Sequence, residues 1–263
     1  LEARGAEWPR WVGELYLEFH RGTYTTQARA KRDNRRSELL YHEAEWLAAL
    51  ADRLGEPYPR AALNQGWELI LLNQFHDILP GSSVGLVYED CARDYARIRA
   101  LGEGVRSRAL EALGRAVDVP GPGRSALVYN AASWPRDDVA VLDLGEAGPL
   151  QAVDPEGNRG PLQPLGDGRY LLDARGVPAY GYALYRLEPA TEAARETALT
   201  VSERALENRY FRVQLNERGE IVSLYDQAHA REALPAGTVA NEWQAYDDRP
   251  RSNMDAWDIN IDY

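Results

Sequence analysis

The sequence predicts an α+β protein with more than one domain, in which an antiparallel three-helix bundle precedes an all-β, sandwich-like region. The apolar residues recur at helical spacing up to about residue 118 and alternate after it. Between the two patterns lies Val119-Pro120-Gly121-Pro122-Gly123, a run that breaks regular structure. We therefore expect a helical domain at 1–118 with an aromatic-rich first segment, a linker at 119–123, and a β region at 124–263.

Three helices are predicted before the linker, over 25–54, 60–79 and 84–117. Apolar residues spaced by three and four, such as Leu40, Ala44 and Leu47, give the first and third helices one apolar stripe to bury, whereas the second is apolar around much of its surface. Thr25 or Thr26 is expected to cap the first helix, and Ser82 or Ser83 the third. Since the connections are short, neighbouring helices should run antiparallel.

Five strands are predicted after the linker, and turn signals at short intervals favour a sandwich. Asn216-Glu217-Arg218-Gly219 separates the last two strands and indicates a hairpin. For the Ala- and Glu-rich segment 189–198 the sequence allows two alternatives, a linker or a helical turn. The predicted strands cover 126–129, 139–142, 180–187, 210–215 and 221–225.

Composition narrows the class of protein. Of the 263 residues 44% are hydrophobic, and the net charge is −11, which argues against a general polyanion binder. The only cysteine, Cys91, excludes an internal disulfide and predicts a reducing, cytoplasmic compartment. Its place on the apolar face of the third helix favours a packed thiol over a nucleophile. We see no signal peptide or membrane-spanning stretch, and expect a fragment of a longer polypeptide because the chain begins at Leu1.

The most informative short motif is His76-Asp77, which follows an apolar run and precedes Pro80-Gly81. Proline and glycine end helices, so both residues are predicted in the last turn of a largely buried helix. A neutral imidazole is a common zinc ligand, and a carboxylate accepts hydrogen bonds from hydroxyls. Spacing alone also allows a structural histidine, because no second ligand follows at helical spacing.

Three stretches together resemble a known family. "GELYLEFHRGTYTTQARAKRDNRR" at 13–36, "LLNQFHDILPGSS" at 71–83 and "YDDRPRSNMDAWDI" at 246–259 are similar, in order and spacing, to the α-mannosidases of glycoside hydrolase family 38, bacterial and vacuolar branch. The resemblance implies a zinc-dependent retaining α-mannosidase that hydrolyses terminal α-mannosides. It implies that this chain covers the middle helical domain and the start of the C-terminal β region.

The resemblance also implies roles for residues. His76 would be one zinc ligand and Asp77 a contact to the bound mannose. The remaining ligands, the nucleophile and the acid/base would lie in an N-terminal domain of the same polypeptide, so no catalytic residue is expected here. In the resembling family the aromatic-rich segment 1–24 and the third stretch line the sugar site, which adds further substrate-side candidates: Trp11, His20, Arg21, Asp255, Trp257 and Asp258.

Two other functions stay open from the residues alone. The aromatic-rich first segment and the β region also suit a non-catalytic carbohydrate-binding module. The cations Arg29, Lys31, Arg32, Arg35 and Arg36 could bind nucleic acid. In so acidic a chain we interpret that cluster as a solvated face paired with acidic groups, and expect no nucleic-acid partner. The substrate and the N-terminal domain are the expected partners, and a homo-oligomer stays open.

Overall fold

The structure is a computed structural model that describes residues 10–12, 20–119, 121–145, 147–190, 199–247, 249 and 256–259. Helices come first along the chain and antiparallel sheets follow, which confirms the predicted α+β class. The antiparallel bundle, the sandwich and the domain boundaries stay predictions. The helices are α1 (Ala28–Asp52), α2 (Arg60–Asn73) and α3 (Gly85–Ala116), after a short 3-10 turn at Gly22–Tyr24.

The three helices pack around a shared apolar core, as their residue spacing predicts. Tyr41 is fully buried there, and its hydroxyl donates to the Ile98 carbonyl across 2.9 Å. Gly66 allows α2 to approach Tyr41, because a Cβ at this position would lie 1.7 Å from the Tyr41 hydroxyl oxygen. The core consists of Tyr41, Ala44, Ala48, Leu63, Ile70, Cys91, Tyr95, Ile98 and Val105.

Three details of the helical prediction are wrong. Neither α1 nor α3 has a side-chain cap: Gln27 and Val84 occupy the N-cap positions, and the hydroxyls of Thr26, Ser82 and Ser83 bond elsewhere. Helix α2 ends at Asn73, six residues before the predicted end at 79. The run before that end is not largely buried either, since the side chains of Leu71 and Leu72 are exposed.

Strands follow the helices within the described ranges. A four-stranded sheet has the order β1-β7-β3-β4, a three-stranded sheet β2-β6-β5, and a five-stranded sheet β12-β11-β10-β9-β8. The strands are β1 (Arg124–Asn130), β2 (Arg136–Asp143), β3 (Leu150–Val153), β4 (Arg159–Pro161), β5 (Gln163–Gly166), β6 (Arg169–Val177), β7 (Gly181–Pro189), β8 (Thr200–Val201), β9 (Ala205–Glu207), β10 (Phe211–Leu215), β11 (Ile221–Asp226) and β12 (Arg231–Glu232).

The predicted hairpin is present. β10 and β11 pair antiparallel, with Phe211 opposite Asp226 and Leu215 opposite Ile221. In the turn, the Asn216 side-chain oxygen accepts bonds from the backbone amides of Arg218 and Glu220. The uncertain segment at 189–198 lies, from 191 onward, outside the described residues.

The chain forms two compact units. One contains the described residues of 1–139, 174–186 and 249–263, and the other those of 140–173 and 187–248. The three helices and every described site candidate belong to the first unit. In the part of the chain that the structure describes, no helix is both long and apolar enough to cross a membrane.

Candidate functional site

The first and third motif stretches are joined by paired side chains. The Arg21 guanidinium donates through Nε to Asp258 Oδ1 at 2.8 Å and through Nη2 to Asp258 Oδ2 at 3.1 Å. The hydrogen bond from Arg21 holds the pKa of the Asp258 carboxyl below its usual range. Beside this pair the His20 ring meets Trp257 edge to face, with centroids 4.9 Å apart. Four of the predicted substrate-side residues therefore form one cluster.

A backbone hydrogen bond also joins the first and third stretches. The Gly22 amide donates to the Trp257 carbonyl at 2.9 Å. A Cβ on Gly22 would lie 3.1 Å from backbone atoms of Trp257 and Asp258, so only glycine fits here without displacement. Two further substrate-side candidates were predicted. Trp11 is 64% exposed, and Asp255 lies outside the described residues.

His76 and Asp77 lie in the turn that follows α2, not in its last turn as predicted. The helix ends early because Asn73 and Gln74 use their side chains in other bonds. Asn73 Nδ2 donates to the Leu69 carbonyl and to Asp94, and Gln74 Nε2 donates to Asn34 and Glu38 of α1. Such side-chain bonds compete with continuation of a helix. The irregular turn brings both functional candidates toward solvent.

The Asp77 residue is held by hydroxyl groups. Ser82 Oγ donates to Asp77 Oδ1 at 2.9 Å, and Ser83 Oγ donates to the Asp77 carbonyl at 2.8 Å. The Tyr88 hydroxyl lies 3.3 Å from that carbonyl. The two serines therefore fix the turn instead of capping α3. The carboxylate is oriented but still 42% exposed, so it keeps lone pairs for hydroxyl donors.

His76 presents an accessible imidazole. Its side chain is 73% exposed, and its Nε2 lies 3.4 Å from Asp77 Oδ2, beyond a normal hydrogen bond. The Phe75 ring lies against it, with centroids 4.2 Å apart. An accessible imidazole of this kind fits the role of one metal ligand. Within the described ranges no three His, Cys, Asp or Glu side chains are grouped to hold a metal ion.

Gly22 and Thr26, both in the first motif stretch, connect it to the other two stretches. The Thr26 hydroxyl donates to the Gly22 carbonyl at 2.7 Å, and Gly22 in turn bonds to Trp257. On the other side Gly81 lies against Thr26, since a Cβ on Gly81 would be 2.7 Å from the Thr26 carbonyl oxygen. Gly81 has φ +100°, a backbone conformation that favours glycine. The structure thus places Gly22, Thr26 and the end of the His76-Asp77 turn in a continuous chain of contacts.

The basic cluster of α1 is mostly paired within the helix. Arg32 lies 2.8 Å from Asp33, and Arg35 3.2 Å from Glu38. Lys31 differs, because it bonds to backbone carbonyls of other segments. From the sequence, Lys31 is one more cation of the solvated cluster, and its residue type does not reveal this role. Its position inside the first motif stretch was the only signal.

Comparison with known proteins identifies both parts of the chain. Residues 18–113 match the model described as "Alpha mannosidase middle domain". Residues 206–263 match "Glycosyl hydrolases family 38 C-terminal domain".

Curated relatives agree with these matches. Alpha-mannosidase 2C1 from Homo sapiens is 35% identical over 274 aligned residues, covering 100% of this chain and 24% of the human protein. The Mus musculus protein of that name is 36% identical with the same coverage. An alpha-mannosidase from Saccharomyces cerevisiae is 49% identical over 89 residues, covering 33% of this chain and 8% of the yeast protein. The chain thus spans about a quarter of the length of the human and mouse relatives.

Two solved structures share the fold. An alpha-mannosidase from Enterococcus faecalis V583 superposes with a TM-score of 0.63 at 18% identity, covering 80% of this chain and 29% of that one. A second Enterococcus faecalis protein, described as belonging to glycosyl hydrolase family 38, gives 0.65 at 19% identity, covering 88% and 32%. The family models, the relatives and the fold agree with the three motif stretches: the chain belongs to glycoside hydrolase family 38.

Proposed function

We propose that this chain is part of a longer, zinc-dependent retaining α-mannosidase that hydrolyses terminal α-mannosides. In that enzyme the first compact unit supplies one wall of the active site. The observation that carries the proposal is the turn after α2, where His76 and Asp77 are accessible and their backbone is fixed by Ser82, Ser83 and Tyr88. We also propose that the three helices form the antiparallel bundle predicted from the sequence.

Asp77 binds the sugar in this proposal. Its carboxylate oxygens accept hydrogen bonds from mannose hydroxyls, and bonds to an ionised acceptor are stronger than bonds to a neutral one. The Ser82 hydroxyl occupies one lone pair of Oδ1 and fixes the rotamer, so the remaining lone pairs have a defined direction. The carboxylate is therefore arranged before the substrate arrives.

His76 supplies one zinc ligand. A bound zinc needs about three protein ligands and an open position, so the others come from the N-terminal domain of the same polypeptide. Held by His76 and those ligands, the ion would supply coordination to sugar hydroxyls. The nucleophile and the acid/base, which every retaining mechanism of this kind requires, belong to that domain as well.

We propose that four further residues face the substrate from the edge of the same site: His20, Arg21, Trp257 and Asp258. The Arg21–Asp258 pair orders both side chains, and Trp257 offers an aromatic face of the kind that sugars stack upon.

We also propose a cytoplasmic location, where Cys91 stays reduced. The ion pairs along α1 speak against a nucleic-acid partner.

The test uses the full-length enzyme with Asp77→Asn. The amide keeps the shape of the side chain but loses the charge, so the fold should persist. We expect kcat/KM on an aryl α-mannoside to fall about tenfold to a hundredfold, equivalent to about 1.5–3 kcal/mol for a hydrogen bond to a charged group. Asp90→Asn is the matched control, because Asp90 lies on the exposed surface of α3 in an ion pair with Arg93.

The two outcomes separate the proposal from the binding-module alternative. Unchanged kcat/KM in Asp77→Asn would refute the role given to Asp77. A full-length protein that binds mannose but turns over no α-mannoside would favour a non-catalytic carbohydrate-binding module.

A further inference from the structure

Lys31, in the first turns of α1, directs its ammonium at backbone oxygens. Nζ lies 2.7 Å from the Leu79 carbonyl and 3.2 Å from the Pro80 carbonyl, and it also donates to the Thr26 carbonyl. An ammonium has three donors, and here each has an acceptor. In the part of the chain that the structure describes, no carboxylate forms an ion pair with Lys31. Its bonding is therefore unlike that of Arg32 and Arg35 on the same helix.

The three carbonyls belong to two segments that are far apart in sequence. Leu79 and Pro80 close the turn that begins after α2, and Lys31 precedes them by 48 and 49 residues. Among the described residues no other donor reaches the Leu79, Pro80 or Thr26 carbonyls. Thr26, Leu79 and Pro80 are half-buried, and a carbonyl shielded from water without a donor costs free energy. The ammonium therefore stabilises the contact between these two segments.

Partial burial makes this cation more than a solvated surface charge. Lys31 is half-buried, and desolvation lowers the pKa of its ammonium. Gly81, directly after the two carbonyls, packs on Thr26. The start of α1 and the end of the turn are thus in contact both through Lys31 and through the packing of Gly81 on Thr26.

We propose that Lys31 is a positioning residue of the family 38 site: it ties the Leu79 and Pro80 carbonyls to Thr26 and so fixes the turn that presents His76 and Asp77. The inference rests on the proposed function, because the turn matters for catalysis only if those two residues bind metal and sugar. Lys31 itself touches neither in this account. A compact ammonium suits the task, whereas the planar fork of arginine matches paired oxygens of one carboxylate.

The experiment compares Lys31→Met with Arg36→Met in the full-length enzyme. Methionine keeps an unbranched apolar stem and removes the donors. Arg36 is an exposed residue on the same helix without an ion pair among the described residues, so it controls for the loss of one positive charge. The readouts are zinc retention against a chromogenic chelator, kcat and KM on an aryl α-mannoside, and hydrogen exchange of the peptide covering 74–83.

For Lys31→Met we expect zinc affinity and kcat/KM to fall about 10- to 100-fold, as for groups that orient metal ligands. Exchange in the 74–83 peptide should accelerate, while Arg36→Met matches the parent in every readout. Lys31→Cys alkylated with 2-bromoethylamine restores an ammonium on a thioether stem of nearly the same length. This treatment should recover zinc affinity and kcat/KM, with the parent treated identically as the control.

Two results would overturn the inference. One is Lys31→Met with parental zinc affinity, kcat/KM and exchange. The other is a lower melting temperature with parental kinetic constants and zinc affinity per folded molecule, which would make the lysine merely structural. A parent enzyme without zinc or mannosidase turnover would instead refute the proposed function, and the exchange of the 74–83 peptide would still decide whether Lys31 fixes the turn.

Discussion

Gly66 sets how closely α2 approaches α1, and through α2 it sets where the turn carrying His76 and Asp77 begins. In Gly66→Ala the new Cβ would lie 1.7 Å from Tyr41 Oη and 2.2 Å from Tyr41 Cζ. Real Cβ contacts are not shorter than 3.0 Å, so the phenol must move by at least 3.0 − 1.7 = 1.3 Å. Tyr41 has little room for that movement, because a Cβ built on Gly102 would already lie 2.8 Å from the other edge of its ring.

The cost follows from what Tyr41 loses. Overpacking a buried site costs about 1–3 kcal/mol, and breaking the bond from its hydroxyl to the Ile98 carbonyl adds about 1–3 kcal/mol. The better helix propensity of alanine returns about 1 kcal/mol. The net loss is about 1–5 kcal/mol, and for a chain of this size each kcal/mol lowers the melting temperature by about 2–4 °C.

Urea and thermal unfolding monitored by far-ultraviolet circular dichroism would measure this loss. Gly104→Ala is the control, since the nearest atom to a Cβ there is Arg108 Nη1 at 3.9 Å, and we expect it to be neutral or stabilising. Tyr41→Phe removes the closest clashing atom, so its effect and that of Gly66→Ala should not add. Equal midpoints for Gly66→Ala and the parent would refute the packing argument.

Two further predictions concern titratable groups. Because Arg21 lowers the pKa of Asp258 in the folded protein, that pair stabilises the fold above the usual carboxyl pKa, and its contribution is lost as pH falls through the lowered value. The difference in urea midpoint between the parent and Asp258→Asn should therefore shrink on acidification; a constant difference from neutral to acid pH would contradict this. Burial, followed by the nearby Asp94 charge, raises the pKa of the Cys91 thiol. Iodoacetamide at mildly alkaline pH should then label Cys91 much more slowly in the folded protein than in urea, and equally fast labelling would show that the thiol is not packed.

The helices were predictable because their apolar residues follow one period over many turns. Tyr41, Ile70 and Ile98 all lie in the core that this spacing indicates. The early end of α2 was not predictable, because the first strong stop signal after residue 66 in the sequence is Pro80-Gly81. Asn73 and Gln74 end the helix through bonds to α1 and α3, and those partners are known only once the helices have packed.

The β region shows the same limit. β1, β2, β7, β10 and β11 carry alternating or β-branched residues and were predicted within a few residues of their bounds. β4 and β5 are three and four residues long and contain Pro161 and Pro164, so their pattern is too short and too irregular to read. Their pairing, such as Ala152 opposite Gly160, is a tertiary property.

The candidate site divides in a similar way. His76, Asp77 and the substrate-side residues were found from motifs, because residue types and order suffice to suggest a family. Their arrangement was not found, since the bidentate Arg21–Asp258 pair joins residues 237 positions apart. The role of Lys31 was not found either. Its acceptors are main-chain carbonyl oxygens, which every residue has, so the residue types do not show where it bonds.

The central claim is that His76 and Asp77 serve an active site whose remaining ligands and nucleophile lie outside these 263 residues. Zinc content after dialysis and the rate on an aryl α-mannoside test it directly, measured in parallel on this chain, on the full-length protein and on full-length His76→Ala. We predict about one zinc and turnover in the full-length parent, and loss of both in His76→Ala. The chain by itself should hold no stoichiometric zinc at micromolar concentration and hydrolyse no α-mannoside. Tight one-to-one zinc with turnover in the chain alone would contradict the account, because ligands and nucleophile would then lie within it.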